Sequence, residues 1–303
     1  MKKTTESIVV DKILSSQTNS KNIIQLASKN YCLSDYGNIN HLFSIPGFSS
    51  AFDLDTNIGD LINDINNINI DTAYLQFFDF QKITEFLSFY AHKKYLNTKI
   101  IQKSYFQLDI YQKNILKVIE NFKRGTRQKA NSSSEHYELI NSFDEVDNEF
   151  YELYREIAAI KNFSNVYLYT NDNFRNLSKL HNIFFIGIRK NSKLIAGSFF
   201  RIIDNNFKRI DYLLSASKVG VSSKWIIKII TNGIKLGIDK NCNFFNFGGG
   251  IIENDNLSEF KLSFGSIKKN FYNCCLINPK SDKFNYLINE NVLNSPFFPN
   301  KTS

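Results

Sequence analysis

"FNFGGGIIENDNLSEFKLSFG", residues Phe245 to Gly265, is the stretch on which both fold and chemistry turn. A short aromatic strand ends in three glycines and is followed by an acidic, Asn-rich loop. A Phe-Lys pair (Phe260, Lys261) then stands four residues before a Phe-Gly pair (Phe264, Gly265). Glycines directly after a strand allow a sharp turn or a close approach of backbone to a ligand. They do not spell G-x-G-x-x-G and open no long helix, so a dinucleotide site is not supported. The helical turn after the loop sets Lys261 between aromatics, where partial desolvation would strengthen its field.

Working outward, "SSKWIIKIITNGIKLGIDKN" reads as an amphipathic helix begun by serine caps and ended near Gly237. Before it, "IFFIGIRKNSKLIAGSFFRIIDNNFKRIDYLLSAS" reads as three strands of an antiparallel meander, with turns at "RKNSK" and "DNNFK". "FDEVDNEFYELYREIAAIK" is a helix with acidic first turns, and "KKNFYNCCLI" is a last strand. This order of strands, helix, strand, short helix and strand is that of an α+β layer around a mixed sheet. Further upstream, "TAYLQFFDF" and "SYFQLDIYQ" read as strands and "QKITEFLSFYAHKKYL" as a helix. "SKNIIQLASK" hints at a helix, and "HLFSIPGFSSAFDLDTN", with Pro46 and Gly47, reads as a loop. In "YQKNILKVIENFKRGTRQKA", Ile115, Leu116, Ile119 and Phe122 share one helical face. Lys123, Arg124, Arg127 and Lys129 follow at that helix's end, where cations suit the dipole.

The 303 residues are a prior for two domains or one large one, and 43% hydrophobic content with 28 Phe and 15 Tyr supplies a packed core. A net charge of +8 attracts phosphates and nucleic acid, although lysines spread along a whole chain also suit an ordinary solvated face. Cys32, Cys242, Cys274 and Cys275 form no C-x-x-C pair, and the adjacent Cys274 and Cys275 face opposite sides of a strand. A zinc site is therefore not supported, and the pattern suits a reduced cytosol. His41, His92, His136 and His181 lie far apart, so no metal is expected. No apolar run is long enough for a signal peptide or a membrane span, which predicts a cytoplasmic protein.

The order of elements, together with "FNFGGG…LSEFKLSFGSIKKNF", resembles the FemABX family of non-ribosomal peptidyl transferases. Asn246, Gly248, Gly249, Phe260, Lys261, Phe264 and Gly265 stand where that family carries its glycine and Phe-Lys-x-x-Phe-Gly signature. "FKRGTRQKA" resembles the family's basic segment and "RIDYLLSAS" its tyrosine-bearing strand. The likeness covers residues 100 to 280 well and the first hundred weakly. It implies two GNAT-like domains with mixed, mostly antiparallel sheets flanked by helices. The expected division is 1–105, shaping the acceptor side, and 106–303, catalytic, with the tail after about 279 returning to the first domain.

The resemblance implies that an amine attacks an activated acyl group to form an amide on a cell-wall precursor, a surface-glycan amino sugar or a related metabolite. Lys261 matches the lysine to which the family assigns oxyanion stabilisation, with Phe260 beside it. Tyr212 is placed to hydrogen-bond substrate or leaving group, the ordinary alternative being a core tyrosine. Arg124 and Arg127 are candidates for phosphate contacts, of acceptor or tRNA, against plain helix capping. Lys161 stands near where relatives carry an arginine for the acceptor's diphosphate. Gly248 and Gly249 allow close backbone approach. Acetyl-CoA-dependent GNAT enzymes cradle pyrophosphate with a glycine-rich loop at a helix start. The loop "SKVGVSS" has one glycine and no arginine, which favours aminoacyl-tRNA over acyl-CoA as the donor, with no bound cofactor or metal. The alternatives are an acyl-CoA-dependent N-acyltransferase on an amino sugar, and a non-catalytic GNAT-like protein that binds RNA or a partner.

Overall fold

A computed structural model describes residues 20–27, 29–36, 39–44, 56–91, 97–132, 136–163, 167–204, 208–249, 256–277, 281 and 283. The elements in chain order are β1 (Ser20–Leu26), β2 (Lys29–Tyr36), β3 (Ile39–Ser44), α1 (Ile58–Asn66), β4 (Thr72–Phe77), α2 (Phe80–Ala91) and β5 (Asn97–Asp109). There follow α3 (Ile115–Glu120), α4 (Arg124–Asn131), β6 (Glu138–Ile140), α5 (Asp147–Ile160), α6 (Asn171–Ser178), β7 (Ile183–Lys190), β8 (Lys193–Ile203) and β9 (Arg209–Ser217). The last are α7 (Lys224–Asp239), β10 (Phe244–Gly249), α8 (Asn256–Leu262) and β11 (Ile267–Ile277). The chain forms two units, Met1–Lys103 with Asn270–Ser303, and Ser104–Lys269. Both combine a mixed sheet with flanking helices, so the fold class is α+β.

In the first unit the strands run β1-β2-β3-β4-β11, antiparallel throughout except for the parallel β3–β4 pair. The side chain of Asn57 caps α1 by accepting from the Gly59 and Asp60 N–H groups at 2.9 and 3.3 Å. The helix buries Ile58, Leu61, Ile62 and Ile65 against Leu75, Phe77, Phe86, Cys274 and Leu276. "SKNIIQLASK" contains strand β1, not a helix. Ile23 and Ile24 pair with Cys32 and Tyr31, and Ala27, at φ 42°, makes the turn. Two adjacent β-branched residues fit a paired strand better than one isolated helical turn.

In the second unit the order is β5-β10-β9-β8-β7-β6, with β10–β9 the one parallel pair. The β7–β8–β9 meander stands as the strand runs and the turns between them predicted. Helix α7 packs on β7, β8, β9 and β10, burying Trp225, Ile227, Ile229, Ile230 and Ile234. Gly237 does not end this helix, which runs to Asp239. A Cβ there would come within 2.6 Å of Ile210 and 2.8 Å of Ile110, so the glycine lets helix and sheet approach. Helix α5 packs against β8 and β9, its Phe150 stacked edge-on to Phe143, Phe174, Phe185 and Phe199.

The helix read through "NILKVIENFKRGTRQKA" is two helices, α3 and α4. The Lys123 N–H donates to the Ser263 carbonyl at 2.8 Å, which draws the chain out of α3 before α4 begins. Lys123, Arg124 and Arg127 therefore begin a helix where the sequence pattern had them end one. Leu116 is 67% exposed, and Val118 takes the buried place expected of it.

Candidate active site

Strands β9 and β10 pair only where Phe244, Phe245 and Asn246 face Arg209, Ile210 and Asp211. Beyond these positions β9 stays with β8, while β10 stays with β5 through a bulge between Asn246 and Gly249. Two parallel strands thus part at their carboxyl ends, the place in an α/β layer where ligands gather. Tyr212 lies on one side of the parting and Gly248 on the other.

Gly248 has φ +74°, and nothing lies within 4 Å of where a side chain would begin, so this backbone faces open space. Its N–H donates to Asn246 Oδ1 at 2.9 Å. Its carbonyl accepts from Lys261 Nζ at 3.3 Å, and the Gly249 carbonyl accepts from the same nitrogen at 2.5 Å. Lys261 is only 5% exposed and stands 5.6 Å from the centroid of the Phe106 ring. The short helix α8 therefore does not send Lys261 out toward solvent. It holds the ammonium beneath the glycine turn. Burying an ammonium is costly unless its N–H groups find acceptors, and the two glycine carbonyls are such acceptors.

Aromatic rings and a second glycine fix α8. Phe264 is fully buried, with Phe122, Phe247 and Phe260 at ring separations of 5.1, 5.2 and 5.3 Å. Gly265, at φ +72°, lies so close to the Asn121 carbonyl that a Cβ would meet it at 2.7 Å. Thr126 donates to Ser263 at 2.8 Å, and Ser266 donates to the Lys261 carbonyl at 2.9 Å. The Phe-Lys-x-x-Phe-Gly run is thus one compact fastening against α3 and α4.

Tyr212 is half-buried, its ring 5.8 Å from Phe200 and its hydroxyl hydrogen-bonded with Ser215 and Ser198. Burial raises its pKa, against the pull of the two serines, so at neutral pH it is a phenol that can donate a hydrogen bond. Arg127 is exposed and donates to the Glu120 carbonyl at 3.0 Å, capping the end of α3. Arg124 is exposed in the first turn of α4, and Lys161 is the exposed C-cap of α5. The structure therefore joins Lys261 directly to Gly248 and Gly249 and sets Phe260 on Phe264. The cations of α4 and α5 sit on their own surfaces.

Sequence reasoning missed Asp211. Its Oδ1 accepts from Asn246 Nδ2 and from Arg209 Nε, each at 2.9 Å, and Asp211 and Asn246 are 5% and 4% exposed. The signal was present as an acidic residue inside the apolar run "RIDYLL" and an asparagine inside "FFNFGG". Among the described residues no group of three or more His, Cys, Asp or Glu side chains could hold a metal ion. No helix among them is long and apolar enough to cross a membrane.

No protein-family model matches the chain, and no curated protein matches it in sequence. Solved structures do share its fold. FemX matches with a TM-score of 0.59 at 11% identity, over 80% of this chain and 83% of that one. L-PGS from Bacillus licheniformis matches with a TM-score of 0.56 at 11% identity, over 92% and 91%. The C-terminal DUF2156 domain of a protein from Agrobacterium fabrum, assigned as a lysylphosphatidylglycerol synthetase, matches at 0.58 and 13% identity, over 94% and 91%. The chain thus shares its α+β fold with these three proteins. At such identities the likeness speaks for the fold alone.

Proposed function

We propose that the protein is an acyltransferase of the FemABX kind, which joins an acyl or aminoacyl group to an amine acceptor. The observation that carries this reading is the buried ammonium of Lys261, fixed by the two glycine carbonyls where β9 and β10 part. When an amine attacks an ester carbonyl, a C–N bond forms and negative charge gathers on the carbonyl oxygen. Collapse then breaks the C–O bond, and a proton from the attacking nitrogen passes to the leaving oxygen. A fixed cation near that oxygen lowers the barrier by a factor of about 10² to 10³, because it needs no reorganisation as the charge appears. Tyr212, a neutral phenol, is suited to donate to the leaving oxygen.

The donor favoured is aminoacyl-tRNA, which would place the reaction in the cytoplasm. Support comes from "SKVGVSS", whose single glycine offers little cradle for a pyrophosphate. Arg124, Arg127 and Lys161 are exposed cations available to phosphates of tRNA or of a nucleotide- or lipid-linked acceptor. The test is incubation of the protein with radiolabelled aminoacyl-tRNAs and acyl-CoAs against a panel of amines: amino sugars, peptidoglycan precursors and lysine derivatives. Label passing from tRNA to an amine supports the reading. Coenzyme A binding near micromolar, about −8 kcal/mol, together with transfer from acyl-CoA, would replace the donor. No transfer from either donor would contradict the enzyme assignment.

A further inference from the structure

We propose that Asp211 is a positioning residue of the acyl-transfer site, acting through Asn246 to fix the glycine turn that holds Lys261; this rests on the reading given above. An ionised carboxylate only accepts hydrogen bonds, whereas an asparagine amide can point either way. Asp211 removes that choice. Its Oδ1 receives Asn246 Nδ2 at 2.9 Å, which leaves Asn246 Oδ1 to accept the Gly248 N–H at 2.9 Å. Turning the amide over would set oxygen against carboxylate and NH2 against N–H, two repulsions in a buried place.

Gly248 held at φ +74° then delivers its carbonyl, and that of Gly249, to Lys261 Nζ. The relay runs from Arg209 and Asp211 on β9, through Asn246 on β10, to the lysine on α8. It occupies the last register pair before β9 and β10 part. Buried ionic groups are a poor source of stability compared with an apolar pair, so the Asp211 carboxylate on the Asn246 amide points to the geometry it enforces. Other described groups near Asp211 and Asn246 are Arg201, the cross-strand partner of Asp211 on β8, Gln107, the partner of Asn246 on β5, and the Cys242 thiol, whose pKa burial chiefly raises and the Asp211 charge raises further. Tyr105, also on β5, has a phenol whose pKa burial raises and the nearby Arg209 lowers.

The test compares wild type, Asn246→Asp and the exchanged double variant Asp211→Asn/Asn246→Asp. In Asn246→Asp two carboxylates meet, and one must hold a proton for the contact to survive, so its pKa rises. Among the facing groups named above, Arg201 and Arg209 oppose that rise without removing the mutual repulsion. Turnover should fall at least about tenfold at pH 8 and recover toward about pH 6, where the shared proton is present. In the exchanged protein the amide, now on β9, donates to the carboxylate, now on β10, which still accepts the Gly248 N–H. Asp211 Oδ1 also accepted Arg209 Nε at 2.9 Å, a contact that the NH2 group now in its place cannot keep. Turnover should therefore recover in part, to at least about threefold above Asn246→Asp, without the new pH dependence.

Hydrogen exchange of the Gly248 amide, read by NMR on glycine-labelled protein, gives a measure independent of turnover. It should be protected in wild type and in the exchanged protein, and at least about tenfold faster in Asn246→Asp at pH 8. Unchanged Gly248 exchange in Asn246→Asp, or an exchanged protein no better than the single variant, overturns the proposal. If Asn246→Asp does not fold, the exchanged protein decides: wild-type protection supports the relay and failure to fold overturns it. Protection that follows the expected pattern while no protein, wild type included, transfers any acyl group supports the relay and overturns the acyl-transfer reading.

Discussion

Lys261, Gly248 and Gly265 divide the work of the signature between charge and backbone. Removing the Lys261 ammonium leaves two glycine carbonyls without their buried donor, at a cost of about 1–3 kcal/mol in stability. Lys261→Met keeps most of the hydrocarbon volume and loses the charge. It should melt within a few degrees of Lys261→Ala, and both should lose about 10² in turnover, roughly 3 kcal/mol in the transition state. Lys261→Arg should rescue poorly, since a planar fork cannot reach the same two carbonyls in the same space. The two glycines should separate. Gly248→Ala meets only its φ of +74° in open space, a cost of about 1–2 kcal/mol. Gly265→Ala meets the same strain and the Asn121 carbonyl at 2.7 Å as well. Urea denaturation should therefore find Gly265→Ala clearly the less stable. Turnover per folded molecule should fall more in Gly248→Ala, and equal stabilities would contradict this account of the turn.

At the scale of elements, α7 gives the sharpest prediction. Alanine is the better helix former by about 1 kcal/mol, yet Gly237→Ala drives a Cβ into Ile210 and Ile110. Overpacking of this kind costs about 1–3 kcal/mol, so the urea midpoint should fall; a rise would mean that helix and sheet separate easily. That glycine also shows where the sequence stopped being legible. The strands β7, β8 and β9, the helix α7 and the last strand β11 were readable because apolar runs bounded by turn residues and helical spacing are local signals. Gly237 looked like a helix end because its reason, the nearness of Ile210 and Ile110, lies across the sheet. The break between α3 and α4 was hidden likewise, since it depends on the Ser263 carbonyl, far along the chain. Strand β6 spans only Glu138–Ile140, too short for any period to register, and β1 offered one apolar cluster that fits either period. Of the site, Lys261 and the glycines were visible as a motif. Asp211 was not, because a lone acid in a strand acquires its meaning only from Asn246 on the neighbouring strand.

Across the whole molecule the buried thiols set the response to alkali. Burial pushes Cys242 up to about 11 and Cys274 and Cys275 up to about 12, from an ordinary value of 9.0. A thiol whose pKa is raised by folding keeps its proton longer in the folded state. Its contribution is complete below about pH 9 and is lost as the pH climbs toward about 11 and 12. Burial also raises the phenols of Tyr31 and Tyr212, which adds a loss of the same sign above their ordinary 10.0. The urea midpoint should hold between about pH 7 and 8.5 and drop by about pH 10.5. In a Cys32→Ser background the folded protein should resist a thiol reagent at about pH 8. Rapid modification there would contradict the burial of these three cysteines.

The central claim, that a buried lysine beneath a glycine turn drives acyl transfer, is tested most directly by single-turnover transfer from aminoacyl-tRNA to an amine acceptor in wild type and Lys261→Met. Wild type should carry label to the amine. The variant should do so about 10²-fold more slowly with little change in donor binding, because the charge Lys261 meets exists only during reaction. Equal rates in the two proteins would contradict it.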